Sequence, residues 1–185
     1  YAPAVSVYSI CGNIDDLYKV QIIINSKLIN WFFRYKFSDK HMAGGYISIN
    51  NLLLQQIPFR NTNNIAIIKK LAINANEFRN SFESITNDFC ELLKSKYSIS
   101  ITSRLQNWYT LDFKVFILEL KKAKLSFNLS EENEWLRYFK EQKEKVLNAK
   151  REIDATDKEI DRMVYELYEL TEEERLADYK EFLQS

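Results

Sequence analysis

Catalysis and metal binding need particular side chains at particular spacings, and this sequence supplies few of them. The single histidine, His41, lies in a polar run, Ser38-Asp39-Lys40-His41-Met42-Ala43-Gly44-Gly45, with no cluster of cysteine, histidine or carboxylate residues at ligand spacing. A metal centre draws three or four such donors together, so no metal site is expected. Cys11 and Cys90 stand far apart in sequence among apolar neighbours, which predicts two buried, reduced thiols. Gly44-Gly45 alone does not make a phosphate-cradling loop. Paired carboxylates occur only in the charged C-terminal stretch, where a solvated helix face is the expected reading. No serine or cysteine has the neighbours of an activated nucleophile. The chain is therefore expected to hold no catalytic residue and no cofactor, and not to be an enzyme by itself.

Binding chemistry is better supplied. Lys27, Arg34, Lys36, Lys40, His41 and Arg60 gather around the end of the first helical pattern and the Gly44-Gly45 run. Cations so placed suit phosphates, because neutralising them releases condensed counterions. Glycines let a backbone approach a groove, and Tyr46, Asn50 and Asn51 are candidates to reach base edges. The charge distribution points the same way. Residues 1–130 hold 16 Lys and Arg against 9 Asp and Glu, net +7, and residues 131–185 hold 10 against 17, net −7. A polyanion is expected to meet the basic part and be repelled by the acidic one.

The elements that must position these residues follow from periodicity. Only three glycines and two prolines occur in 185 residues, which favours long helices and few tight turns. Residues 4–10 alternate apolar and small polar side chains, as a short strand does. Asp15 or Asp16 is the expected cap of a helix running to about Phe37, with Leu17, Val20, Ile24, Leu28 and Trp31 along one face. Residues 46–49 read as a second strand, residues 50–56 as a short helix, and Ile57-Pro58-Phe59 as extended chain.

From Ile68 a heptad seam runs through Leu71, Ala75, Phe78, Phe82, Ile85, Phe89 and Leu92, with Thr62 or Asn63 as its expected cap. Phe139, Val146, Ile153, Ile160 and Leu167 form a second seam, with Gln142, Ala149, Thr156, Met163 and Leu170 three positions on and Ser130 as the expected cap. At about 1.5 Å per residue these predict rods on the order of 45 and 60 Å. A further amphipathic helix is expected over 104–124, around Leu111, Phe113, Val115, Phe116 and Leu120. Thr171-Glu172-Glu173-Glu174 fits a capping box for a last short helix. The expected fold class is α+β and predominantly helical. It has a small α/β unit over residues 1–60 and a helical region over 61–185. The helical region's long helices, about 64–95 and 131–169, pair antiparallel in a coiled-coil-like manner.

The chain begins at Tyr1 rather than Met and is expected to be a piece of a longer protein. No apolar run reaches the roughly 18 residues a membrane span needs, and no secretory signal is visible, so a cytoplasmic protein without a membrane partner is expected.

Three stretches carry a family resemblance. The first is Ile24-Asn25-Ser26-Lys27-Leu28-Ile29-Asn30-Trp31-Phe32-Phe33-Arg34. The second runs from Gly44-Gly45-Tyr46-Ile47-Ser48-Ile49 through Leu53-Leu54-Gln55-Gln56 to Ile57-Pro58-Phe59. The third is Glu159-Ile160-Asp161-Arg162-Met163-Val164-Tyr165-Glu166-Leu167-Tyr168, leading into Leu170-Thr171-Glu172-Glu173-Glu174. Together they resemble the TaqI-like C-terminal specificity domain of N6-adenine DNA methyltransferases and fused type II restriction–modification enzymes. The first two are also similar to target-recognition domains of type I specificity subunits. The resemblance implies a sequence-specific DNA-binding module that offers an adenine in double-stranded DNA to a separate methyltransferase domain of the same protein. S-adenosylmethionine would be the cofactor of that parent enzyme, not of this fragment. The Asn-Pro-Pro-Tyr type motif of the methyltransferase domain is missing, as is any Pro-Asp…Glu-x-Lys nuclease pattern. The DNA-binding residues expected are Lys27, Arg34, Lys36, Lys40, His41, Tyr46 and Arg60. The alternative is a helical protein-interaction module that uses its seams to hold a partner and never touches DNA.

Overall fold

Short polar side chains decide where the helices start and stop. The computed structural model describes residues 10–36, 54–62 and 64–175, which are predominantly helical and contain no strand. The strands expected over 4–10 and 46–49, the loop over 38–45 and most of the helix over 50–56 lie outside the described residues. No β component of the expected α+β class is therefore supported.

The first helical pattern is two helices, not one helix to Phe37. Helix α1 spans Ile14–Ile24 and α2 spans Lys27–Lys36. Asn13 caps α1 by accepting the Asp16 N–H at 2.9 Å. Asp15 and Asp16, expected as caps, lie in the first turn, where acids complement the helix dipole. The break falls at Asn25-Ser26, because both side chains compete for backbone groups. The Asn25 amide donates to the Gln21 carbonyl at 2.8 Å, and the Ser26 hydroxyl donates to the Ile23 carbonyl at 2.7 Å. The same hydroxyl accepts the Ile29 N–H at 3.4 Å, so Ser26 closes one helix and opens the next.

Helix α3 spans Ile65–Tyr97. Its first carbonyl is that of Asn64, which accepts the Ile68 N–H; the Thr62 hydroxyl serves the Asn64 N–H rather than a helical amide. The expected seam is displaced slightly. The buried residues are Ile68, Ala72, Ala75, Thr86, Phe89, Cys90 and Leu93, so Ala72 and Leu93 are buried where Leu71 and Leu92 are only half-buried. One column of the seam, Ile68, Ala75 and Phe89, keeps the expected seven-residue spacing, and the other is offset by one residue from its first turn, at Ala72, to its last, at Leu93.

The helix expected over 104–124 is broken into α4 at Ser103–Gln106, a 3-10 turn at Trp108–Thr110, and α5 at Phe113–Lys122. Thr102 caps α4 through the Leu105 N–H, and Asp112 caps α5 through the Val115 N–H. Helix α6 spans Leu129–Leu167. Its cap is Asn128, not Ser130. Asn128 Oδ1 accepts the Glu131 N–H at 3.0 Å and Glu131 Oε2 accepts the Asn128 N–H at 2.8 Å, a reciprocal box that leaves Ser130 inside the first turn. Glu169, at φ 58°, ends α6, with the Leu170 N–H reaching back to the Tyr165 carbonyl. The capping box read at Thr171 is present. Thr171 Oγ1 accepts the Glu174 N–H, Glu174 Oε2 accepts the Thr171 N–H at 2.8 Å, and residues 172–175 are helical.

The chain forms two compact units, residues 1–74 with 156–185, and residues 75–155. In the first, Ile23, Ile29, Phe33 and Ile57 form a buried cluster with Leu54 and Leu167 packed against it. In the second, Phe89 is the hub. Its ring stacks on Trp108 at 3.8 Å between centroids, and Phe116, Trp135, Tyr138 and Phe139 surround it at 5.6–6.3 Å. Within this unit Tyr97 meets Trp135 while Phe89 meets Phe139, so the two helix segments run in opposite directions.

Truncating the hub should be the costliest change in this unit. Phe89→Ala should lose about 3–5 kcal/mol in urea unfolding followed by tryptophan fluorescence. Phe82, half-buried on the same helix, should lose distinctly less as Phe82→Ala. Equal losses would show that Phe89 is not the centre of the core.

Candidate functional site

The sequence-expected binding residues divide three ways. Lys40, His41 and Tyr46 lie outside the described residues. Lys27 and Arg60 are engaged by acids from the C-terminal stretch. Arg34 and Lys36 occupy the exposed last turn of α2.

Lys27 opens α2, and Asp161 on α6 holds it twice. The Lys27 backbone N–H donates to Asp161 Oδ1 at 2.8 Å and its ammonium lies 3.1 Å from Oδ2. Asp161 is 7% exposed. Its carboxylate supplies the negative charge that the first turn of α2 lacks, from 134 residues away in sequence. Lys27 is thereby a latch residue first.

Arg60 lies 3.3 Å from Glu169 and over the Tyr168 ring at 5.8 Å. The Tyr168 hydroxyl donates to the Pro58 carbonyl at 2.7 Å, and partial burial pushes that hydroxyl above the usual tyrosine range. Beside it, Lys19 donates to Asn61 Oδ1 at 3.1 Å, on the rim of a cleft of about 350 Å³ floored by Ile22, Ile23 and Val164. The rim carries both signs of charge, Lys19 and Arg60 against Glu166 and Glu169, so it has no built preference for an anion.

The last turn of α2 is different. Arg34 Nε donates to Asn30 Oδ1 at 3.3 Å, and the Lys36 ammonium lies 5.1 Å above the Phe32 ring. Both cations lie at exposed positions and complement the negative end of the helix dipole.

Sequence reasoning missed the two residues that arrange this unit, Asp161 and Tyr168. Both lie in the third resemblance stretch, which was their only signal. It also misjudged the charge distribution. The unit of residues 1–74 and 156–185 holds 12 Lys and Arg against 13 Asp and Glu, net −1, and residues 75–155 hold 14 against 13, net +1. The linear split of +7 and −7 does not survive folding, because acidic residues 156–175 share a unit with the basic N-terminal segment.

In the second unit the notable group is Glu119, a carboxylate 7% exposed on α5. Lys122 lies 2.7 Å and Arg104 3.0 Å from the same Oε1 atom. Hydrogen bonds from Lys122 first, then Arg104, hold the carboxyl below its ordinary range against the opposing effect of burial. Of the thiols, Cys90 is buried, 3.6 Å from the Leu105 carbonyl, and burial pushes its pKa up, which disfavours the reactive thiolate. Cys11 is exposed, contrary to the expectation of burial, as are the other described residues ahead of α1, Ile10, Gly12 and Asn13. Among the described residues no group of three or more histidine, cysteine or acidic residues could hold a metal, and no helix is long and apolar enough to cross a membrane.

The chain belongs to the family described as a domain of unknown function, DUF8810, whose model matches residues 61–164. No curated protein and no solved structure matches it.

Two outcomes follow from these contacts. Asp161→Ala strands the Lys27 N–H and should cost about 1–3 kcal/mol in urea unfolding, with faster amide hydrogen exchange in the first turn of α2. Lys27→Ala keeps the backbone bond and should cost less; the reverse order would refute the latch. The lowered Glu119 carboxyl contributes stability that is fully present above the unfolded carboxyl value, about 4.3, and is lost as pH falls through its folded value. The stability gap between the native chain and Glu119→Gln should therefore be constant near neutrality and narrow from roughly pH 5 downward. A gap independent of pH would contradict the carboxylate's role.

Proposed function

We propose that this DUF8810 member is the DNA-recognition module of an N6-adenine DNA methyltransferase or fused type II restriction–modification enzyme. In this reading it seats double-stranded DNA for a separate S-adenosylmethionine-dependent domain of the same protein and acts in the cytoplasm. One observation carries the reading. The three stretches that resemble the TaqI-like specificity domain are far apart in sequence, yet their described parts come together in one unit. Lys27 of the first is latched by Asp161 of the third. Pro58 of the second accepts the Tyr168 hydroxyl of the third. Ile29, Phe33, Ile57 and Leu167, drawn from all three, share one apolar cluster. Segments that pack as a unit and resemble one family in the same order support that family's function.

The chemistry is consistent with it. Arg34 and Lys36 present charge to solvent at the end of α2, and the chain continues from there into the Lys40, His41 and Gly44-Gly45 run. Phosphate contacts of this kind set register and supply salt-dependent affinity; base-edge contacts by Tyr46 and its neighbours would supply specificity. Lys27 and Arg60 serve this reading by positioning α2 and the 57–60 segment.

The test is selection from a randomised duplex pool with the whole chain, followed by salt titration. Recovered duplexes should converge on one motif. Arg34→Ala with Lys36→Ala should weaken binding to all sequences alike and make the slope of log affinity against log salt shallower by about two units. Recovery of unrelated sequences, or salt-insensitive self-association in place of DNA binding, would overturn the reading in favour of a helical interaction module.

A further inference from the structure

Residues 98–127 hold five Lys and Arg against two Asp and Glu, and neither acid faces a partner. Asp112 is consumed as the α5 cap through the Val115 N–H. Glu119 is buried beneath Arg104 and Lys122. What remains on the surface is a stripe of cations. Lys114, Leu118, Lys121 and Lys122 are spaced i, i+4, i+7 and i+8 and share one face of α5. Lys124 follows at φ 65°, where the helix has ended. Lys114 and Lys124 make no ion pair among the described residues, and the exposed Lys121 ammonium has only the half-buried Glu132 at 3.3 Å. Arg104, Val115, Leu118, Lys121 and Lys122 line a shallow depression of about 440 Å³, together with Glu119, whose carboxylate Arg104 and Lys122 neutralise.

We infer that this face of α5 is a second phosphate-contact surface, by which the unit of residues 75–155 grips the sugar–phosphate backbone of duplex DNA. The inference rests on the chain engaging duplex DNA, as proposed above. The stripe from Lys114 to Lys122 is about 12 Å long. That matches roughly three to four base-pair steps at about 3.4 Å each, so two or three cations meet successive phosphates of one strand. Glu119 adds preorganisation. It fixes Arg104 and Lys122 before binding, which reduces the side-chain ordering that association would otherwise demand. An acidic amphipathic helix is the rival occupant, but such a helix needs a row of apolar anchors. Here Phe116, Ile117 and Leu120 are buried in the core and only Leu118, 48% exposed, stands out. One apolar side chain between cations suits the edge of a deoxyribose.

The experiment uses the whole chain and a mixed-sequence duplex of about 25 base pairs. The variant is Lys114→Gln, Lys121→Gln and Lys124→Asn together. Arg104 and Lys122 stay because they neutralise Glu119, and Asn tolerates the left-handed backbone at 124. With an unchanged thermal midpoint, duplex affinity near 0.1 M salt should fall by on the order of 10- to 100-fold, with a salt slope shallower by about two to three units. If this triple variant binds like the native chain while the Arg34 and Lys36 variant is weakened, the α5 surface is refuted and the recognition reading stands. If the triple variant is weakened but pool selection finds no preferred motif, the reading fails and the α5 surface stands. Displacement of the duplex by a Glu- and Leu-rich peptide at lower concentration than by competitor DNA would refute the surface in favour of a protein partner. Absence of duplex binding at about 50 mM salt would refute both.

Discussion

A carboxylate taken out of water must be matched by donors or it destabilises the fold, and Asp161 is matched twice by one residue. The Lys27 N–H and ammonium both point at it, across 134 residues of chain. The backbone bond is the stronger constraint, because an N–H cannot swing away as a lysine side chain can. It fixes where α2 begins relative to α6, and hence which side chains of α2 turn inward. Ile29 and Phe33 then meet Ile57 and Leu167, while Arg34, Tyr35 and Lys36 turn out. The polar latch and the apolar cluster therefore specify the same arrangement. The latch also explains how a helix with no acid in its first turn and a net-basic end is tolerated. An apolar residue in place of Asp161 would leave the Lys27 N–H without its acceptor, so the latch specifies where α2 begins as well as stabilising it.

The second unit depends on a different constraint, the flat shape of aromatic rings. Phe89 accepts neighbours on both faces and at its edges, with Trp108 and Tyr138 stacked and Phe116, Trp135 and Phe139 edge-on. One continuous helix over 104–124 could not bring both Trp108 and Phe116 to that ring. The chain breaks twice: at Asn107, whose side-chain amide donates to the Ser103 carbonyl at 3.0 Å and whose own carbonyl accepts the Thr110 hydroxyl at 2.8 Å, and at Leu111-Asp112, where Asp112 caps α5. Lys143 ties the second break down by donating to the Leu111 carbonyl at 2.5 Å. Aromatic packing thus explains why a segment with an acceptable helical pattern is not one helix.

What could be read from the sequence was whatever depends on neighbours a few residues away. The two long helices, the apolar seams and the Thr171 capping box needed only local periodicity and spacing. The break at Asn25-Ser26 carried a local signal too, two adjacent residues that favour caps over helix interiors, but the apolar spacing from Leu17 to Trp31 outvoted it. Asn128 and Ser130 are both good caps by residue type, and only Glu131, three residues after Asn128, distinguishes them. Asp161 had no local signal at all. On its own helix it is one acid among many, and only the fold shows that it is buried against Lys27. Long-range pairing of this kind cannot be read from spacing in one chain, and the same limit hid Tyr168, Arg60 and the pinning of Glu119.

Charge behaves in the same way, and this bears most directly on function. A sum over a linear segment describes the field of that segment only if it stays together and apart from the rest. Here the acidic end of α6 shares a unit with the basic N-terminal segment, and the unit sums are close to zero. A nearly neutral unit does not steer DNA by its overall field. Any attraction must come from local arrangement, and two local surfaces have it: the last turn of α2, and the stripe on α5 whose acids are buried or used as caps. At physiological salt the screening length is about 8 Å, shorter than either unit is wide, so a phosphate responds to the cations beside it and hardly to the unit's total. A neutral sum is thus no obstacle to binding a polyanion. Binding then depends on where exposed cations are placed rather than on the unit's total.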